Sequence, residues 1–309
     1  MSRGYSCKMI ISASYKTDIP AFYGDWFRAR RLAGYCHVKS AWNGRNFKVS
    51  LRDADCSGFV FWTRNARPFR DELARTAQTH PFVVQYTLTG LPRWLEQSVP
   101  STARACADIA ALTGLYGPDA LVWRYDPILF TVQTPADSHM ENFARLAGSL
   151  SGRVSEVVVS FAQIYRKTRR NLDQAANAAR ATWRDPDTPE KAELLAQLKD
   201  IASCHGMVLT ACTQPELSPE AAPAARCIDA ARLNRVAARL GHAPLTARTK
   251  GPRPGCLCAE SRDIGAYHTC PHGCVYCYAV DDPVAARRNH RAHVTGADNL
   301  APAPADRTD

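Results

Sequence analysis

Two patterns of apolar residues alternate along the first two-thirds of the chain. Short dense runs, "KMIISASY" (8–15), "GFVFWT" (58–63), "FVVQYTLT" (82–89), "ALVWRYDP" (120–127), "SEVVVSF" (155–161) and "GMVLTAC" (206–212), have the length and residue types of buried strands. Between them apolar residues recur at helical spacing. A cap at Thr17 or Asp18 with Pro20 behind it opens a helix whose face is Phe22, Trp26 and Phe27 and which stops at Gly34. Pro68 opens the next. A third runs over 101–116 to the Gly117-Pro118 breaker, and Thr134-Pro135 opens a fourth with Phe143, Leu146, Ala147 and Leu150 on one side. A longer helical connection after residue 161 is interrupted by Pro186 and Pro189 and resumes from Thr188. "CHVKS" and "FKVSL", on either side of Asn43-Gly44, read as a hairpin inserted after the first helix.

Six strands separated by helices predict an α/β fold with a parallel sheet, because parallel neighbours need a crossover. No Gly-rich dinucleotide fingerprint or P-loop follows any strand. Polar residues do follow almost every one: Lys16, Thr17 and Asp18; Arg64 and Asn65; Thr89; Arg124, Tyr125 and Asp126; Gln163, Tyr165, Arg166 and Lys167; and Cys212. In a barrel all of these loops converge on one mouth, whereas a doubly wound sheet gathers only those at its switch point. The expectation is a partial (β/α)6-type barrel over residues 1–212, with Lys16, Asp18, Arg64, Arg124 and Asp126 as candidate catalytic residues. Lys and Arg there would bind an anionic substrate, and Asp18 and Asp126 would orient those cations, hold a hydroxyl or move protons.

Beyond Cys212 the character changes. Residues 213–285 hold a short helix in "AARCIDAARLNRVAARLG", the loop "TKGPRPGCLCAESRD" and the stretch "DIGAYHTCPHGCVYCYA"; this segment is expected to bind metal and complete the barrel. Residues 286–309, polar and rich in Ala, Pro and Arg, are expected to be a disordered tail. The net charge of +10 favours anionic partners, nucleic acid among them, but no nucleic-acid motif is present and the densest basic run is "YRKTRRN" (165–171). No run approaches the roughly 18 apolar residues of a membrane span, and the first residues lack the pattern of an export signal. A cytoplasmic location is the expectation, and there clustered cysteines mean metal or redox chemistry more often than disulfides.

The chain has twelve cysteines, and seven lie in its last third. Cys7, Cys36, Cys56, Cys106 and Cys204 are scattered and read as small buried hydrophobes. Cys270, Cys274 and Cys277 fall within eight residues. Structural zinc draws four ligands from two separated knuckles, whereas three thiolates on one loop suit a [4Fe-4S] cube and leave one iron open. His268 or His272 would be needed to turn the same loop into a Cys3His zinc site. The remaining four, Cys212, Cys227, Cys256 and Cys258, are enough for a second metal site, either iron–sulfur or zinc.

The run "CPHGCVYC", C-x3-C-x2-C with an aromatic residue before the third cysteine, resembles the signature of radical S-adenosylmethionine (SAM) enzymes. That resemblance implies a three-cysteine [4Fe-4S] cluster whose open iron binds SAM, reductive cleavage to a 5′-deoxyadenosyl radical, a flavodoxin or ferredoxin-type electron donor, and Tyr276 packed near the adenine of SAM. It also implies a partial (β/α)6 barrel. In that superfamily the signature follows the first strand; here it comes last, which implies circular permutation, with "DIGAY" feeding the cluster loop beside "KMIISASY". No Gly-Gly-Glu segment, which there helps hold the amino group of SAM, follows the second strand. From "IISASYKTDIPAFYGDWF" through "VWRYDPIL" to "RPGCLCAESRDIGAYHTCPHGCVYCYA", the chain also resembles a bacterial family known as a domain of unknown function, to which no reaction is attached. The leading expectation is a radical SAM-like iron–sulfur enzyme acting on an anionic substrate. The alternatives are an iron–sulfur redox or sensing protein without SAM chemistry, and a zinc-stabilised nucleic-acid-binding protein.

Overall fold

A computed structural model of the chain describes residues 8–40, 43–214, 217, 222–251 and 255–300. Its centre is a seven-stranded parallel sheet built from β1 (Met9–Ala13), β2 (Cys56–Thr63), β3 (Phe82–Thr87), β4 (Leu121–Ile128), β5 (Glu156–Phe161), β6 (Val208–Ala211) and β7 (Ser261–Asp263). The order across the sheet is β6-β5-β4-β3-β2-β1-β7. Each strand from β1 to β6 lies beside its predecessor, and the chain then returns to add β7 to the far side of β1, with Ile11 opposite Arg262 and Ser12 opposite Asp263. The sheet is open, with β6 and β7 as its edges.

All but the last of the helices fall where the spacing predicts them. They are α1 (Gly24–Ala33), α2 (Arg70–Thr79), α3 (Thr102–Tyr116), α4 (Ala136–Leu150), α5 (Arg166–Ala179), α6 (Thr188–Cys204), α7 (Ala230–Leu240) and α8 (Pro283–Arg291). Asp18 caps a single turn, Ile19–Phe22, before α1, accepting from the Ala21 N–H at 2.9 Å. Gly34 ends α1 in the left-handed region. The hairpin around Asn43-Gly44 forms from Tyr35–Lys39 and Asn46–Ser50.

Strand periodicity divides the sheet into two chemically different faces. Phe59 and Phe61 pack edge-to-face with Phe27 of α1, Tyr86 bonds Asp108 of α3, and Trp123 packs on Phe143 of α4. These positions face the helices. Successive crossovers that step one way put their helices on one face when each is right-handed. The alternate positions Ser12, Trp62, Gln85, Arg124, Asp126 and Ser160 form a hydrogen-bonded row on the opposite, inner face. There Trp62 donates to Ser12, Arg124 to Gln85 and Asp126, and Ser160 to Asp126.

The C-terminal third covers that inner face. α7 lies across the amino ends of the strands, where Arg232 pairs with Asp119 and Glu156 and the His242 ring bonds the Ala77 carbonyl. Gln85 donates to the carbonyl of Cys227 at 2.8 Å, and Ala211 bridges to Ala224. Residues 286–300, expected within the tail, differ from that reading: α8 runs to Arg291, and the segment beyond it docks on α1 and the hairpin. Trp26 donates to the Ala297 carbonyl, Arg30 pairs with Asp298, and Ala286 and Leu300 are buried. Buried aromatic and charged residues of α1 supply partners that composition alone did not reveal. Residues 301–309 lie outside the described residues.

Candidate metal centre

Asp263 closes β7 and fixes the loop that carries the three clustered cysteines. Its carboxylate accepts from Ser12 and Ser14 hydroxyls at 2.8 Å each and from the backbone of Tyr15 and Gly265 at 3.1 Å each, and it lies 3.4 Å from Lys16 Nζ. One buried acid thus ties the last strand to the first. Gly265 allows the approach, since a Cβ there would fall 2.0 Å from Ser14 Oγ. The strand ends where "DIGAY" was expected to begin one, and the loop leaves immediately afterwards.

The loop then runs along the carboxyl ends of the strands. Tyr23 donates to the Thr269 carbonyl at 2.7 Å, Ser98 N–H to the His272 carbonyl at 3.0 Å, and Val275 N–H to the Leu95 carbonyl at 3.0 Å; Glu96 bridges to Cys274. The segments after β1 and after β3 therefore clamp it from two sides. Gly273, between the first and second cysteines, sits at φ +72, where a side chain is strained. Cys277 N–H bonds back to the Cys274 carbonyl at 3.2 Å, folding the second half of the run into a turn.

Cys270, Cys274 and Cys277 are half-buried free thiols that feel one another's charge. Burial pushes the Cys270 thiol well above the ordinary range, and Asp18 and the other two sulfurs add to this. Burial likewise raises Cys274 to about 12, against the pull of Arg64, and raises Cys277. Three such thiols cannot all ionise together without a cation between them. The two histidines stand otherwise. His272 is buried with Nε2 2.8 Å from Asp18 and Nδ1 3.1 Å from the Ser98 carbonyl; His268 Nδ1 accepts from the Asp281 N–H at 3.3 Å. Both nitrogens of His272 are thus engaged where a Cys3His zinc site would need one free, whereas His268 keeps Nε2 without a hydrogen bond, 3.8 Å from the Asp281 carboxylate. Among the described residues, no three Cys, His, Asp or Glu donors already stand in the arrangement of a bound ion.

The residues singled out at the strand ends form pairs more than they form an open anion site. Asp18 holds the cap of its helix turn, the Arg64 N–H at 2.8 Å and His272. Lys16 is given over to Asp263. Arg64 lies 2.8 Å from Glu96 and donates to the Tyr276 hydroxyl at 2.5 Å, while Tyr276 also bonds Glu96. Burial opposes the Arg64 charge most strongly, yet Glu96, Tyr276 and Cys274 together more than offset it and hold the guanidinium pKa well above its ordinary value. Tyr276, expected near an adenine, has its hydroxyl in this buried triad and its ring beside Leu91, Leu95 and Val275. Arg124 is paired with Asp126. Arg166 alone of the expected cations makes no ion pair or hydrogen bond with another described residue, and it lines an open cavity of about 970 Å³ with Lys167, Arg170, Tyr165, Tyr267 and Tyr278.

The second set of cysteines meets on the inner face. Cys227 Sγ is 3.6 Å from Cys212 Sγ, and Cys258 Sγ accepts from the N–H of Ile228 at 3.4 Å, with its thiol influenced by Cys227 and Cys256. Cys258 in turn holds the Cys256 thiol down to about 7. Of the scattered cysteines, Cys36 and Cys56 are buried, and burial raises each to about 12, as small core residues should be. Cys106 is half-buried and Cys204 exposed, and Cys7 lies outside the described residues. Sequence reasoning missed Asp263, Glu96 and two tyrosines of the cavity wall, Tyr267 and Tyr278. Only the Asp-Ile-Gly at the loop entrance signalled any of them.

A family described as a domain of unknown function, DUF1848, matches residues 10–279. The chain belongs to this family. The match begins in β1 and ends two residues past Cys277, so the sheet, both cysteine sets and the cavity residues all lie within the family domain. No curated protein matches the chain. Among the described residues no helix is long and apolar enough to cross a membrane.

Proposed function

We propose that this protein is an iron–sulfur enzyme of the radical SAM type, with a circularly permuted partial barrel and an anionic substrate. The single observation that carries the reading is the position of the three-thiol loop. It follows β7, and β7 stands at the edge of the sheet beside β1. Read across the sheet from that edge, the strand preceding the cysteines comes first and the other six follow in chain order. A permutation that leaves the arrangement intact while moving the chain ends would produce this order, and such new ends are tolerated at surface loops.

In this reading Cys270, Cys274 and Cys277 hold a [4Fe-4S] cluster with one iron left for SAM. Bound and reduced, the cluster supplies the electron that cleaves SAM to a 5′-deoxyadenosyl radical. The chain's own residues hold and shield. Asp263 and the Arg64–Glu96–Tyr276 triad fix the loop against the segments after β1 and β3. The cavity beside it offers Arg166 to the anionic group of a substrate, with Lys167 and Arg170 alongside on Asp281, and three tyrosines to its flatter parts. A net charge of +10 suits an acidic flavodoxin or ferredoxin as electron donor.

The experiment is anaerobic reconstitution with iron and sulfide, then reduction in the presence of SAM. The expected results are brown protein, a cluster that Cys274→Ala removes, and 5′-deoxyadenosine as a product. A cluster-loaded, reducible protein that yields no 5′-deoxyadenosine would instead be a redox or sensing protein. Colourless protein holding zinc at this loop would reject the cluster altogether.

A further inference from the structure

Cys212, Cys227, Cys256 and Cys258 take no part in the function proposed above. They reach one place from three parts of the chain: the end of β6, the approach to α7, and the loop that precedes β7. Cys227 Sγ lies 3.6 Å from Cys212 Sγ, and Cys258 is held next to it, its sulfur on the N–H of Ile228 and its neighbour Ala259 bonded to the Ile228 carbonyl. Two polar hydrogens point at them. Arg124 Nη1 donates to Cys227 Sγ at 3.2 Å, and the Ile228 N–H to Cys258 Sγ at 3.4 Å. Gly251 leaves room for the outermost thiol, because a Cβ there would lie 2.5 Å from Cys256 Sγ.

We propose that these four cysteines bind one divalent, thiophilic cation of the zinc class, separately from the three-cysteine loop. The spacing favours a single ion over a cube. With metal–sulfur bonds of about 2.3 Å, the sulfurs of a tetrahedral site stand about 3.8 Å apart, close to the Cys212–Cys227 separation. A cube would hold its four thiolates on separate irons and spread them further. As thiols, no three of them yet surround a point that an ion could occupy. Binding releases the four thiol protons, converts the Cys227–Cys212 hydrogen bond into a repulsion, and replaces it with bonds to the cation. A dication with four thiolates carries a net charge of two minus. The Arg124 guanidinium and the Ile228 N–H already face two of the sulfurs and offset part of it, as outer hydrogen bonds to metal-bound sulfur do. Arg124 also pairs with Asp126, so the same side chain joins this site to the end of β4. The ion would pin the whole connection from β6 to β7 onto the inner face, holding β7 and its loop in place.

Two measurements on the full-length chain test this. In the triple variant Cys270→Ala, Cys274→Ala, Cys277→Ala, about one zinc per chain should remain, and cobalt in its place should give the absorption of a tetrahedral thiolate site. Iron with sulfide retained there, or no metal retained, would overturn the proposal. In the unaltered chain, alkylation mapped by mass spectrometry should find all four thiols protected with zinc and exposed after chelation. Equal labelling with and without zinc would overturn it too, whether or not the triple variant folds.

Discussion

The guanidinium of Arg64 and the carboxylate of Glu96 lie 2.8 Å apart with their side chains 12% and 2% exposed, and the Tyr276 hydroxyl bonds both. Arg64 leaves the end of β2, Glu96 comes from the segment after β3, and Tyr276 sits one residue before Cys277. A buried ion pair therefore anchors the cysteine loop to the sheet. Removing one partner leaves the other charge buried, which costs about 3–5 kcal/mol, whereas Tyr276→Phe removes two hydrogen bonds yet leaves the charges paired, at about 1.5–3 kcal/mol. Glu96→Gln should accordingly destabilise the protein in urea unfolding more than Tyr276→Phe. Equal effects would mean that Arg64 finds another partner.

Asp263 should be as costly to neutralise. Asp263→Asn keeps its shape but leaves Lys16 without its counter-ion and weakens bonds to Ser12, Ser14 and Tyr15. A loss of about 3 kcal/mol is expected, together with faster amide exchange in residues 261–270, the junction of β7 with the loop. Unchanged exchange there would show that the β1–β7 backbone pairing alone holds the loop.

Gly265→Ala tests the same junction sterically. The added carbon would meet Ser14 Oγ at 2.0 Å, so Ser14 has to leave Asp263 or the backbone has to move. Overpacking of this kind costs about 1–3 kcal/mol. Gly114→Ala is the control: it lies in α3 with nothing within 4 Å of the new carbon and should be neutral or slightly stabilising in thermal unfolding.

His139 gives a pH dependence with a definite sign. It is buried, its Nδ1 meets the Tyr125 hydroxyl at 2.8 Å and its Nε2 the Leu129 carbonyl at 3.1 Å, and burial lowers its pKa to about 4 from 6.5. Between those values the unfolded chain takes up the proton and the folded protein does not. Stability is therefore full above pH 6.5 and falls as the pH drops toward 4, by up to about 3 kcal/mol. Urea unfolding across that range should show the slope, and His139→Leu should flatten it. A slope unchanged by that substitution would assign the effect to other groups.

Much of the fold was legible in sequence because it rests on local patterns. Phe22, Trp26 and Phe27 at helical spacing, the Thr134-Pro135 opening and the six apolar runs each report one element, and the elements stand where the patterns put them. The strand "SRD" was not legible in the same way: its three residues are polar, and only pairing with β1 makes them a strand. Sequence alone did not show which partners Lys16, Asp18, Arg64, Arg124 and Asp126 take up in the fold. A charged residue at a strand end looks the same in sequence whether it waits for a ligand or already has a partner, and Glu96 and Asp263 are distant from the residues they neutralise.

By itself the sequence determined the α/β class, the run of elements and the crowding of Cys270, Cys274 and Cys277, because periodicity, turn residues and short spacings are properties of neighbours along the chain. Tertiary structure alone decided that β7 lies beside β1, that Arg64 belongs to Glu96, and that Cys212, Cys227, Cys256 and Cys258 meet. These contacts join residues up to 251 positions apart. They exist because burying the apolar faces of the helices and sheet fixes one packing, and the polar groups brought together by that packing must then find partners among themselves.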